Sequence, residues 1–300
     1  MPAKHPFRRA ATEKNNSLPA KQTPETSRRK APEKLPLDRT DGLAVYDRFI
    51  QAMADGDTAM LWQLFTPEIR LCYIVESSNE AQALEVLARH LADSDFPQLT
   101  AKFSDPAEKQ SIRNAVAQDF LPTKLNGQWY IIARMPNEPY YPKVKQASQE
   151  EICNEIMLIL KDYDIFRYWM LLQPKAKEMQ IKLFNNEAQA IIALEKNYSS
   201  MLKKQAQTNA EIKQISQEAQ IPPEDTFTLL MAAAYHAIND NQAMALAMMP
   251  YSFRQKMLEG TNKEEACKNF TELLKNNYKS TLESFYRLTV QIDGKWYITN

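Results

Sequence analysis

Side chains that could carry out chemistry are few in this 300-residue chain, and their spacing assembles no reaction centre. Asp55 and Asp57 flank Gly56 and could serve as an acid and base pair. Short carboxylates also start and end helices, and a position at a helix boundary favours that role. The three histidines, His5, His90 and His236, have no second histidine or cysteine at metal-ligand spacing. Cys72, Cys153 and Cys267 are scattered without a CxxC pattern and read as reduced core thiols, although the sequence alone leaves a disulfide open. The five glycines compose neither GxGxxG nor GxxxxGK[ST], which removes those phosphate-cradling loops, and there is no GxSxG nucleophile motif. Candidate anion or partner contacts are Arg28, Arg29 and Lys30 near the N-terminus, with Arg70 and Lys177 further on. No catalytic set, metal or cofactor is expected, and the balance is against an enzyme.

The elements that would position these residues are organised by repetition. Asp57–Leu87 laid over Asp164–Leu194 without a gap gives 11 identities in 31 positions. The matches include Trp62 with Trp169, Pro67 with Pro174, and the pentapeptide from Asn79 to Ala83 with that from Asn186 to Ala190. Such a run predicts one supersecondary unit used more than once. All four tryptophans recur in register, Trp62 with Trp169 and Trp129 with Trp296, so they are expected to pack inside their own units.

Net charge is zero, with 37 basic and 37 acidic side chains, but the two signs are unevenly spread. Residues 1–37 carry nine Lys/Arg, three acidic residues and six prolines, with few large apolar side chains. Such a segment cannot offset its ordering entropy by burial and is expected to be a disordered basic arm. Weak contact with nucleic acid or an anionic surface is its functional option, and a solvated tether is the favoured reading because no aromatic residues interleave with the charges. No window is apolar enough to span a bilayer and no signal peptide is visible. Compartment is therefore unknown, cytoplasmic by default and exported if a leader was removed.

Three units follow, at 38–145, 146–221 and 222–300. In the first, Tyr46, Phe49, Ile50 and Met53 form one helical face closed by Gly56, Pro67 predicts a kink or restart at Thr66, and Asn79 caps a third helix. Asn126-Gly127 and Asp293-Gly294, each between alternating segments, predict β-hairpins. The second unit opens on Ser148 and Glu151 in capping-box spacing, with Ser148 in register with Asp41. Its third helix either runs long through Tyr198, Met201, Ile212 and Ile215 or breaks at Thr208, where a second capping box falls. No strands follow directly. The third unit is the most diverged, keeping the Pro67-to-Asn79 separation in Pro250 and Asn262. The fold class predicted is mostly α with minor β: three related helical units, the first and third ending in a hairpin; whether the two hairpins pair is left open by the sequence.

The segment Tyr46–Asp57, then Leu64–Arg70, then Gly127-Gln-Trp-Tyr-Ile131 resembles the opening helices and closing strand of ketosteroid-isomerase-like cone domains of exported bacterial proteins. Asn239–Gln242 with Asp293–Ile298 resembles the same family. The resemblance implies a curved sheet cupping a pocket, whereas one hairpin per outer unit is all that reads from the sequence, and no catalytic residue carries over.

A non-enzymatic helical-repeat scaffold that binds another protein is the leading expectation, since repetition builds extended surface. A small-molecule-binding or hydrolytic cone-type domain is the second, with a deep pocket as its mark. Attachment to nucleic acid or membrane through the arm is the third.

Overall fold

The computed structural model describes residues 37–134, 142–260 and 262–299. The arm, with Arg28, Arg29 and Lys30, lies outside the described residues. Among the described residues the chain forms 15 helices and two hairpins, so it is mostly α with minor β.

In the first unit the Asp41 carboxylate accepts from the Leu43 and Ala44 amides and starts α1 (Gly42–Asp55), which ends where Gly56 turns left-handed at φ 67°. The Asp57 carboxylate caps α2 (Thr58–Leu64) through the Met60 amide. Both aspartates are thus occupied at helix ends, Asp55 accepting from the Gln51 side chain at 2.9 Å. The chain restarts at Thr66, which is extended at ψ 153°, and Pro67 opens α3 (Pro67–Ser77). Proline forces that geometry by crowding the residue before it out of the α region. Asn79 caps α4 (Glu80–Ala92), after which α5 (Phe96–Thr100) and α6 (Lys109–Val116) lead to β1 (Phe120–Leu125) and β2 (Gln128–Ala133).

The second unit begins with α7 (Gln149–Asp162), capped by Ser148, followed by α8 (Ile165–Leu171), capped by Asp164. α9 (Pro174–Phe184) again starts on a proline, and Asn186 caps α10 (Glu187–Thr208). Of the two expectations for this helix, the break is observed. Asn209 rather than Thr208 makes the cap, its side chain accepting from the Ile212 amide at 3.2 Å in α11 (Ala210–Ala219). The Thr208 hydroxyl instead donates back to the Lys204 carbonyl at 3.0 Å, a local bond open to any helical threonine.

Beyond Pro222 come α12 (Pro223–Ile238), α13 (Gln242–Ala247), α14 (Tyr251–Leu258) and α15 (Lys263–Tyr286), then β3 (Thr289–Ile292) and β4 (Lys295–Ile298). Asn241 and Asn262 cap α13 and α15 as Asp57 and Asn79 cap α2 and α4. α15 runs through Tyr286 and a turn bond from the Leu288 amide to the Phe285 carbonyl, 2.8 Å, extends it, so β3 begins only at Thr289.

Asn126 and Gly127, at φ 49° and 77°, and Asp293 and Gly294, at φ 49° and 76°, make the tight turns that need two left-handed residues. The two hairpins do not pair with one another; each is its own antiparallel two-stranded sheet. Backbone between the helices lies against each hairpin instead. In the first unit Phe65 bridges Ile131 in parallel, the Thr66 amide donates to the Ile131 carbonyl at 3.2 Å, and the Trp129 amide donates to Arg39 at 3.0 Å. In the second hairpin Leu172 bridges Ile298, the Gln173 amide donates to Ile298 at 3.1 Å, and the Trp296 amide donates to Gln146 at 2.9 Å. Arg39, Phe65 and Thr66 lie 107 residues before Gln146, Leu172 and Gln173. The terminal hairpin follows the third unit along the chain but docks on the second in space.

Two details explain why particular residues recur. The buried indole of Trp62 donates to Glu80 at 2.8 Å, and that of Trp169 donates to Glu187 at 2.8 Å. The shared pentapeptide therefore supplies the acceptor that a buried indole N–H requires. Trp129 is fully buried and lies across Gly42, where an added Cβ would come within 2.6 Å of the ring; Trp296, with Gln149 in the matching position, is only half-buried. The main core runs through the first two units, and a smaller cluster around Ala233, Leu246 and Phe270 fills the third.

Candidate functional site

Arg70 and Lys177 occupy matching places on α3 and α9 but have different surroundings. Arg70 is half-buried near Arg39, with its Nε unpartnered, while the Arg39 guanidinium stacks on Tyr130 at 4.3 Å and donates to the Gln63 carbonyl. Lys177 donates to the Met170 carbonyl at 2.8 Å, and burial pulls its ammonium down to about 8, with Glu187 opposing and Arg134 assisting. The structure does not join them in one anion site. None of the three cysteines forms a disulfide. Among the described residues no group of three His, Cys, Asp or Glu side chains is placed to hold a metal, and no helix is long and apolar enough to cross a membrane.

A recess of about 270 Å³ lies between the two units, lined by Glu68, Tyr130, Asp162, Asp164 and Arg167. Arg167 there pairs with the buried Glu155 and with Asp164 at 3.4 Å, and Asp162 pairs with Lys161 at 2.5 Å. Burial raises the Asp164 carboxyl above its ordinary range, with the Arg167 backbone and guanidinium opposing. This is an interface fitting, continued by Lys124 reaching Glu195 at 2.7 Å from β1 to α10.

The larger opening is of another kind, a half-open cavity of about 670 Å³ bordered by the second unit, the C-terminal helices and the second hairpin. Ile156, Ile159 and Leu160 of α7 form one wall, with Tyr168 of α8 and Tyr198, Met201 and Gln205 of α10 beside them. Ile212 and Ile215 of α11 and Phe227, Leu230, Met231 and Ala234 of α12 face these. Phe253, Phe270, Leu273, Leu274 and Phe285 from α14 and α15 close a further side, with Leu288, Ile298 and Thr299 from the hairpin. Among the described residues no charged side chain lines it, and the polar groups there are Tyr168, Tyr198, Gln205, Asn209 and Thr299. Tyr198 is 5% exposed and its hydroxyl has no hydrogen-bond partner in the protein. Burial raises its phenol well above the ordinary value, and burial likewise raises that of Tyr168.

The lining positions of the second unit match packed core positions of the first, and the two interiors differ in their phenyl rings. Ile156, Ile159, Leu160, Tyr168 and Tyr198 stand 107 residues after Phe49, Ala52, Met53, Leu61 and Leu91, all buried core. In the first unit Phe120 meets Phe49 at 5.0 Å, Phe96 at 5.3 Å and Phe65 at 6.2 Å between ring centres. The hairpins match with Trp129 on Trp296, which puts exposed Arg287 where Phe120 stands, and the helix offset puts Leu172 at Phe65 and Ile156 at Phe49. Three phenyl rings become two aliphatic chains and a solvated cation.

The sequence contained a trace of this site. Tyr198, Met201, Ile212 and Ile215 read as one apolar seam, and the seam turns polar at Gln205, which lines the cavity. No family model, no curated protein and no solved structure matches this chain.

Proposed function

We propose that the protein binds an apolar small molecule in the cavity between its second unit and its C-terminal helices. The observation that carries this reading is the cavity itself: about 670 Å³, lined by aliphatic and aromatic side chains with a few convergent polar groups. Ligand pockets typically measure about 300–1,000 Å³ and have that kind of lining. The volume also fits the pocket implied by the cone-domain resemblance, although here helices supply most of the wall. Titration with the neutral dye N-phenyl-1-naphthylamine tests it. The wild type should enhance the dye's fluorescence saturably, and Ala234→Phe, which places a ring in the space, should lower affinity by at least about tenfold while circular dichroism is unchanged. Absence of saturable binding to the wild type would refute the reading.

The helical scaffold is kept as a second proposal for a specific reason. Leu71 and Val75 on α3 are exposed by 59% and 73%, and Met179 and Leu183 on α9 by 62% and 69%. Each pair is spaced i, i+4, the separation of neighbours on one helix face. These pairs are where a protein partner would dock.

A further inference from the structure

We infer that the outward faces of α3 and α9 bind each other between copies of this chain, α3 of one copy against α9 of the next; this rests on the docking faces described above, names their partner, and is independent of the cavity. The two helices hold the same place in their units, each led by a proline, Pro67 or Pro174. Among the described residues α3 packs mainly on α4 and α9 mainly on α10. Their other sides leave Leu71, Val75, Met179 and Leu183 each more than half exposed. Single exposed apolar side chains are ordinary, but two i, i+4 pairs on matching helices of a repeated unit are not scattered.

The charge beside each pair selects a second copy as the occupant. With about 100° between successive helical residues, Glu68 stands about 20° from Val75 and about 60° from Leu71 on α3. On α9, Lys175 and Lys182 stand about 40° and 60° from Met179, and Glu178 lies further round at about 100°. Glu68, Lys175 and Lys182 are all exposed. Glu68 and Lys175 are counterparts in the two units, 107 residues apart and opposite in sign. Pairing α3 with α3 offers Glu68 no lysine, and pairing α9 with α9 sets lysine toward lysine. α3 on α9 joins opposite charges around two apolar pairs, the complementarity that selects one partner face over another. The contact is heterologous, so each copy keeps a free face and association passes beyond the dimer or closes a ring. A single-helix contact lies at the small end of interface sizes, so it forms at high protein concentration.

Sedimentation equilibrium of the full chain from about 10 μM to about 1 mM tests this. The wild-type average mass should rise with concentration. Val75→Asp spoils the α3 face and Leu183→Asp the α9 face, so each variant should stay monomeric with unchanged circular dichroism. Mixed in equal amounts, the two variants should form a dimer that grows no further, because one intact face of each kind remains. Glu68→Lys in the wild type should weaken association about two- to fivefold. A wild type that is monomeric throughout would overturn self-recognition alone. Association that survives both aspartate substitutions would overturn the use of these faces, and the scaffold reading with them. Self-association of just one variant, or a mixture that stays monomeric while the wild type associates, would overturn the pairing of α3 with α9. Unchanged association in Glu68→Lys would overturn the role given to charge.

Discussion

In the first unit four phenylalanines, at 49, 65, 96 and 120, close over one another; in the second, the places of three of them hold Ile156, Leu172 and Arg287, and Ile156 borders open space. The frame around both interiors is the same in its particulars. Asp57 and Asp164 cap matching helices, Trp62 and Trp169 donate to matching glutamates at 2.8 Å, and a hairpin docks on the backbone before each proline-led helix. Caps, indole hydrogen bonds and hairpin docking thus maintain the shape of a unit independently of what fills it. The interior is then free to differ.

The sharpest test of this contrast removes the filling ring. Phe120→Ala should lower unfolding free energy by about 3–5 kcal/mol in urea titrations, the usual cost of a buried phenylalanine, whereas Arg287→Ala in the matching place should stay within about 0.5 kcal/mol. Equal losses would mean that the second interior is as tightly packed as the first. Next in size is the contact between Gly42 and Trp129. A methyl group there meets the ring at 2.6 Å, so Gly42→Ala should cost about 1–3 kcal/mol through overpacking. Retained stability would show that the ring can shift.

Tyr198→Phe is predicted to act in the opposite direction on the unliganded protein. Removing a buried hydroxyl without a protein partner should raise stability by about 1 kcal/mol, read as a higher Tm, and a lower Tm would mean that the hydroxyl already contributes to the fold. A pH-dependent test concerns Lys177, the counterpart of Arg70. Its folded value of about 8 lies below the ordinary 10.5, so between those pH values the unfolded chain binds more protons. Stability should therefore rise as pH increases from 8 to 10.5. Denaturation series at pH 7.5, 9 and 10 should show less of that rise in Lys177→Met than in the wild type, and an identical rise in both would assign it to other groups.

Most of the frame is legible in the sequence because it rests on short-range rules. Asp41, Asp57, Asn79, Ser148, Asp164 and Asn186 act where a capping side chain precedes an apolar period, and Asn126-Gly127 and Asp293-Gly294 turn where left-handed residues are needed. The docking of the last hairpin is not legible, since the bond from Gln173 to Ile298 joins residues with no local pattern between them. Nor is the cavity. Ile156, Leu230 and Phe270 are the types that build a core, and only their distances in three dimensions reveal that they stop short of one another. Gln205 was a visible interruption, yet without neighbours in space it reads as the polar end of a helix.

Because Ile298 completes the unit that Gln146 begins, the two halves of this protein follow different schedules during synthesis. The first can close as soon as residue 133 has left the ribosome. Its counterpart must wait for the other 165 or so residues, keeping its apolar walls unsealed throughout elongation. That interval is when a greasy cargo, or a chaperone, would have readiest access to the chamber.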